Sequence, residues 1–240
     1  AIFNVTNADL ARFTTPGNVI LGSSTRGVRF EGADAISSAS KAYPLRVNGA
    51  ATLATHAALA TGAGGVVFAS MVDSGVSPSS LTITGDGHRT FLDPVGAMRP
   101  LAALTTGPTS SAADSVRNVT TIGAQSYGSN TVNVNGTLDT TGRLLVDGLA
   151  SILFTGTDVR VNQSQAANTF ATGDLEAIVA PNGSLTIFGQ SVTVGDVSVL
   201  NNLTIDSPSI TILRRAAISP RQIPVVRNGI GTTLVPGVGQ

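Results

Sequence analysis

The chain has 240 residues, no cysteine, and 14 basic against 14 acidic residues, so its formal net charge is zero. Neutrality excludes a general electrostatic attraction to nucleic acid or to an anionic membrane, and the missing cysteine excludes disulfides, thiolate metal sites and a cysteine nucleophile. Charged residues supply 12% and aromatics 4% of a chain that is 42% hydrophobic with 27 Gly, which disfavours a helical bundle and suits many short strands joined by tight turns.

Runs of three to five residues, apolar or alternating, recur along the chain and are bounded by Gly, Asn, Asp, Pro or Ser. In order they begin at Val19-Ile20-Leu21, Val28-Arg29-Phe30, Leu45-Arg46-Val47, Val66-Val67-Phe68, Leu81-Thr82-Ile83 and Thr90-Phe91-Leu92. They continue at Thr131 to Val134, Leu144 to Val146, Ile152 to Phe154, Val159 to Val161 and Leu175 to Val179. The last are Leu185 to Phe188, Val192 to Val194, Leu203 to Ile205 and Ile210 to Leu213. Strands this short need equivalents stacked above and below them. The Leu-Thr-Ile triplets at 185 and 203 are 18 residues apart, the runs opening at Thr131 and Ser151 are 20 apart, and the run at Leu101 follows Leu81 by 20. About 18 to 22 residues is one coil of a parallel β-helix. The predicted fold is therefore an all-β solenoid, with a pair of β-sandwiches as the alternative.

Three segments interrupt the pattern. Residues 50–63 are Ala-rich and read either as a short helix or as a buried strand pair. Residues 106–118 read as a loop or linker, which divides solenoid coils over 1–105 from coils over 119–213. Residues 214–240 carry Arg214, Arg215, Arg221 and Arg227 with three prolines and no acid, and read as an extended basic tail suited to reaching a neighbour. No apolar run is long enough to span a bilayer as a helix. The start at Ala1, without Met or a leader pattern, predicts a mature or excised product.

Candidate chemistry is sparse. Asp86-Gly87-His88-Arg89 is the one compact polar cluster and a candidate ion or sugar site, beside the plainer reading as a turn between strands. Asp73, Asp86, Asp93 and Asp206 read as turn residues, and Asp174 with Glu176 is the densest carboxylate pair. Two histidines, His56 and His88, cannot build a multi-histidine metal site. Gly62 to Gly65 lacks the Lys of a phosphate loop, and no nucleophile elbow is present. No catalytic residue, metal site or cofactor is predicted. Thr-x-Thr and Ser-x-Thr pairs at 82–84, 191–193 and 209–211 raise an ice-binding hypothesis, against the simpler strand preference of Thr. Phe30, Phe68, Phe91, Phe154 and Phe188 sit inside apolar runs and are expected to stack in the core.

From Gly65 onward the segments GGVVFASMVDSG, SSLTITGDGHRTFLDPVGAMRPLAALTT and VTTIGAQSYGSNTVNVNGTL, with TPGNVILGSSTRGVRFEG before them, resemble the β-solenoid repeats of filamentous-haemagglutinin-like and autotransported bacterial adhesins. The resemblance covers about half the chain and implies a right-handed parallel β-helix that is exported, extracellular or on the cell surface, with a structural or adhesive role. It transfers no catalytic residue. Such proteins are usually far longer, so this length implies a fragment, a processed product or a shorter relative. Expected partners are other copies of the chain or adjacent solenoid segments, and host or surface glycans. The rival expectation is a carbohydrate-binding or polysaccharide-degrading β-helix.

Overall fold

The computed structural model describes residues 3–4, 19–31, 36–37, 43–107, 113–129, 131–146, 151–155, 158–161, 169–172, 177–180, 184–194, 196–199, 203–212, 216–218, 225–227 and 232–234. The described part is all-β, and its strands stack in parallel as a β-solenoid with three walls.

The first wall stacks β2 (Val19–Leu21), β5 (Leu45–Val47), β8 (Val66–Phe68), β11 (Arg89–Phe91), β13 (Ala113–Val116), β16 (Thr131–Val134), β19 (Ser151–Phe154), β22 (Ala177–Ala180), β25 (Asp196–Val199) and β28 (Ala216–Ile218). The second stacks β4 (Ile36–Ser37), β7 (Ala57–Thr61), β10 (Leu81–Gly85), β12 (Leu104–Thr106), β15 (Gln125–Tyr127), β18 (Leu144–Val146), β21 (Thr169–Thr172), β24 (Ser191–Val194), β27 (Ile210–Ile212) and β30 (Thr232–Leu234). The third begins with β1 (Phe3–Asn4), β3 (Val28–Phe30), β6 (Ala51–Leu53) and β9 (Val72–Ser74). Single bridges from Val72 to Val95 and from Val95 to Val119 carry it into β14 (Val119–Thr121), β17 (Thr137–Thr140), β20 (Asp158–Val161), β23 (Ser184–Phe188), β26 (Leu203–Asp206) and β29 (Val225–Arg227).

Each wall follows from residue alternation. In Val19–Leu21, Val28–Phe30, Leu45–Val47 and Val66–Phe68 the outer two residues are buried and the middle one is not, because successive side chains of a strand point to opposite faces. A strand of three residues thus gives two inward anchors and one outward residue. Stacked coils bury the anchors in a single apolar column running from Val19 to Ile210. Phe30, Phe68 and Phe91 belong to it: Phe30 meets Phe68 with ring centroids 6.4 Å apart, and Phe68 stacks on Phe91. Phe188 is half-buried.

The register agrees with two of the three sequence spacings. Leu185 pairs with Leu203, and Thr131 with Ser151. The third spacing is corrected: Leu81 pairs with Leu104, 23 residues on, while Leu101 turns toward the third wall and bridges Thr121. Coil length also varies more than predicted, from 18 residues between Val192 and Ile210 to 26 between Leu144 and Phe170. Only the strands must match their neighbours, so turns can lengthen outward at little cost to the wall. The Ala-rich stretch forms β6 and β7 rather than a helix: Ala51, Leu53, Ala57, Leu59 and Thr61 alternate inward. Every ladder is parallel, which replaces the sandwich alternative by the solenoid. Within residues 106–118 lies β13, and within 214–240 lie β28, β29 and β30, the outermost strands of their ladders.

Candidate functional site

The polar cluster singled out in the sequence sits at the corner where β10 passes into β11. Gly85 closes β10 with φ 111°, and a Cβ there would stand 1.8 Å from the Thr61 carbonyl oxygen of the preceding coil. Directly below, Gly65 has φ 68°, and a Cβ there would stand 2.1 Å from the His88 carbonyl oxygen. The two glycine turns therefore nest on each other, and this is the role of Gly62 to Gly65: Gly65 N donates to Gly62 O at 3.0 Å. Backbones this close leave no room for side chains.

Strand alternation then separates the cluster. Asp86 and His88 are exposed, whereas Arg89 points inward and is fully buried. His88 Nδ1 accepts the backbone N–H of Ala113 at 3.0 Å, the residue in register with it on the next coil. The three residues do not converge on one surface.

Inside the wall, Arg89 organises a buried polar network. Its Nη1 lies 3.3 Å from Asp114 Oδ1 and donates to Ser129 Oγ at 2.8 Å, and its Nη2 donates to the carbonyl of Gly85. Thr106 Oγ1 donates to Asp114 Oδ2. Arg89 and Asp114 are adjacent in the β11–β13 register, so the ion pair links consecutive coils of the first wall, while the bonds to Gly85 and Thr106 tie that wall to the second. A buried charge is costly unless paired and hydrogen-bonded; here both partners are enclosed, Arg89 bonds through Nη1 and Nη2, and its Nε is buried without a partner.

Next to it, Tyr127 donates its hydroxyl to Gln125 Oε1 at 3.0 Å, and Gln125 Nε2 donates to Asp139 O at 2.7 Å. Thr121 Oγ1 donates to Thr140 Oγ1 at 2.9 Å, extending the polar section into the following coil. Burial, and then the Asp114 charge, push the Tyr127 phenol well above its ordinary range. Arg89, Asp114, Thr121, Gln125, Tyr127 and Thr140 thus form a buried polar layer within the column. Its enclosure suits holding coils together rather than binding a solute.

The corners show a repeated device. His56 Nδ1 accepts Ser80 N at 3.0 Å, and Asn118 Oδ1 accepts Thr137 N at 2.9 Å, as His88 accepts Ala113 N. In each case a side chain just ahead of a strand satisfies a backbone donor one coil on. Asp73 does likewise from within β9: its Oδ1 accepts Met98 N and Arg99 N, both at 3.2 Å. It is a strand residue bracing the next turn, not a turn residue closing on its own backbone.

Other candidates disperse. Arg214, Arg215 and Arg221, together with Asp174 and Glu176, lie outside the described residues, and Arg227 stands in β29 in register with Asp206. The outward hydroxyls Thr82, Thr105 and Ser126 align on the second wall, but the row is one residue wide and passes to Leu145. Among the described residues no three His, Cys, Asp or Glu side chains gather as a metal site, and no helix is long and apolar enough to cross a membrane. Comparison with known protein families, with curated proteins and with solved structures found no match.

Proposed function

We propose that this chain is a rigid rod module of a secreted or surface-displayed bacterial protein, with a structural and adhesive role of the kind its haemagglutinin-like repeats imply. One observation carries the reading: two walls are parallel ladders ten strands deep, and the third stacks a four-stranded and a six-stranded parallel ladder joined by single bridges through Val95. At about 4.8 Å per step, ten strands make a rod on the order of 45 Å long.

A parallel ladder also grows by adding strands at its ends. Among the described strands, β1, β2 and β4 form one set of edges, and β28, β29 and β30 the other. Edge strands offer unpaired backbone groups to another chain. The partner is another copy or an adjoining solenoid segment, and head-to-tail contact of this kind gives a filament. The exposed apolar side chains Val76, Met98 and Ile122, in turns that leave the third wall in successive coils, offer a lateral contact stripe.

Electron microscopy with size-exclusion chromatography and light scattering tests this. Rods that lengthen with concentration are expected, and a stable globular monomer at high concentration would overturn the assembly reading. Turnover of a plant or bacterial polysaccharide would replace the structural role by an enzymatic one.

A further inference from the structure

Both histidines of the chain, His56 and His88, stand directly ahead of a strand, and both lend Nδ1 to a backbone N–H of the next coil. His56 accepts from Ser80 N and His88 from Ala113 N, each at 3.0 Å. Acceptor and donor are register partners in both cases, because Ala57 pairs with Leu81 and Arg89 with Asp114 one place further on. Ser80 is thereby held to the coil below through both backbone groups, since its carbonyl accepts Ala57 N at 2.9 Å. At the other corner the cap lies one residue ahead of the buried Arg89–Asp114 pair. Asn118 makes a third cap of the same form, with Oδ1 accepting Thr137 N.

The three caps differ in one chemical respect. A neutral imidazole keeps one acceptor nitrogen and a protonated one keeps none, whereas a carboxamide oxygen accepts in either condition. We propose that His56 and His88 are acid-released latches between coils, closed while Nδ1 is bare and opened when it takes a proton, and that Asn118 is a latch acid does not open. Imidazole is the side chain whose ordinary titration falls between about pH 5 and 8, and carboxylates ordinarily titrate near pH 4. The open chain takes the second imidazole proton freely, but a capped corner takes it only by giving up its bond to Ser80 or Ala113. What the cap contributes is therefore fully present above that range and lost as pH falls through it.

Among the described residues, few charged groups surround the two rings. Around His56, Glu31 stands at the same corner one coil below, paired with Arg29, while β7, β10 and residues 75–80 above carry none. Asp73, at the end of the preceding wall, is engaged by Met98 N and Arg99 N. Around His88, Asp86 is exposed on the same turn, Arg89 and Asp114 are enclosed behind it, and Gly62 to Gly65 below carry no charge. Mild acid thus loosens the steps from β7 to β10 and from β11 to β13, and spares the step from Asn118 to Thr137.

The test is backbone amide hydrogen exchange of the full chain at about pH 8 and about pH 5, read as protection relative to an open chain at the same pH. Protection of Ser80 N and Ala113 N is expected to fall about fivefold in acid, the size of one ordinary hydrogen bond, while Thr137 N keeps its protection. His56→Asn and His88→Asn put a carboxamide oxygen where Nδ1 stands, so each should hold its own amide at both pH values. His56→Leu and His88→Leu should leave that amide less protected at both. Unchanged protection of Ser80 and Ala113 in acid, a fall that Thr137 shares, or an equal fall in the Asn variants would overturn the proposal. The first two outcomes are read on the native protein, so they hold whether or not a variant folds, and none of them bears on the rod reading.

Discussion

Arg89 Nη1 lies 3.3 Å from Asp114 Oδ1 inside the solenoid, and neither side chain reaches solvent. Removing one partner strands the other charge in the core, so Arg89→Met is expected to cost about 3–5 kcal/mol. The double variant Arg89→Met, Asp114→Leu removes both charges and is expected to recover most of that loss. Urea denaturation of the four-member cycle measures it. If the double variant loses the sum of what Arg89→Met and Asp114→Leu lose singly, the pair is not coupled in the way its geometry requires.

Phe68 and Phe91 face each other in register, with ring centroids 5.0 Å apart and planes 2° from parallel. Phe91→Ala is expected to cost about 3–5 kcal/mol by leaving a void in the column, and Phe68→Leu less than about 1.5 kcal/mol. Hydrogen exchange gives the spatial readout, because each coil of a solenoid leans mainly on its neighbours. Faster exchange should centre on β8, β11 and β13. Uniform acceleration over all three walls would show that the stack opens as one unit instead.

The strands and the stacking were legible in the sequence because inward Val, Leu, Ile and Phe repeat at period two, as at Val19–Leu21 and Leu185–Phe188. Register was legible where identical triplets recur, as at Leu185 and Leu203. It failed at Leu81, where the intervening turn holds residues 96–100 outside the wall and shifts the partner to Leu104. The polar layer was hidden for a different reason. Asp114 lies in a Ser- and Ala-rich stretch that reads as a linker, and only Arg89, 25 residues earlier, makes it a core residue. One sequence offers no local signal for a pair made across coils. Corner caps such as His56 and Asn118 share that difficulty, since each donor stands a full coil away.

Gly85→Ala is expected to be severely destabilising, beyond about 2 kcal/mol, since the φ of 111° strains any side chain and the added Cβ meets the Thr61 carbonyl. Gly85 O also accepts from Arg89, so a displaced turn would disturb the buried ion pair. Gly27→Ala provides the contrast: its backbone is ordinary and the nearest atom to a new Cβ is Ala50 O at 3.0 Å. Thermal melts of both variants decide the matter, and a Gly85→Ala protein that melts with Gly27→Ala would show that this corner yields easily.

Tyr127 predicts how the solenoid responds to alkali. Its phenol is held well above the usual range by burial and by the charge of Asp114, whereas the unfolded chain loses that proton near pH 10. Above about pH 10 the folded state therefore binds more protons than the unfolded one, and stability falls as pH rises further. Below pH 10 both states keep the proton and the contribution is fully present. Tyr43 is raised as well, by burial alone, so Tyr127→Phe should flatten the alkaline loss without abolishing it. At neutral pH the same change removes the hydrogen bond to Gln125 and is expected to cost about 1 kcal/mol. Denaturant midpoints measured from pH 7 to pH 12 give both effects: the curves of the native protein and the variant should converge as pH rises. Parallel curves across that range would mean that Tyr127 ionises no later in the fold than in the open chain, and that the layer around Asp114 admits water.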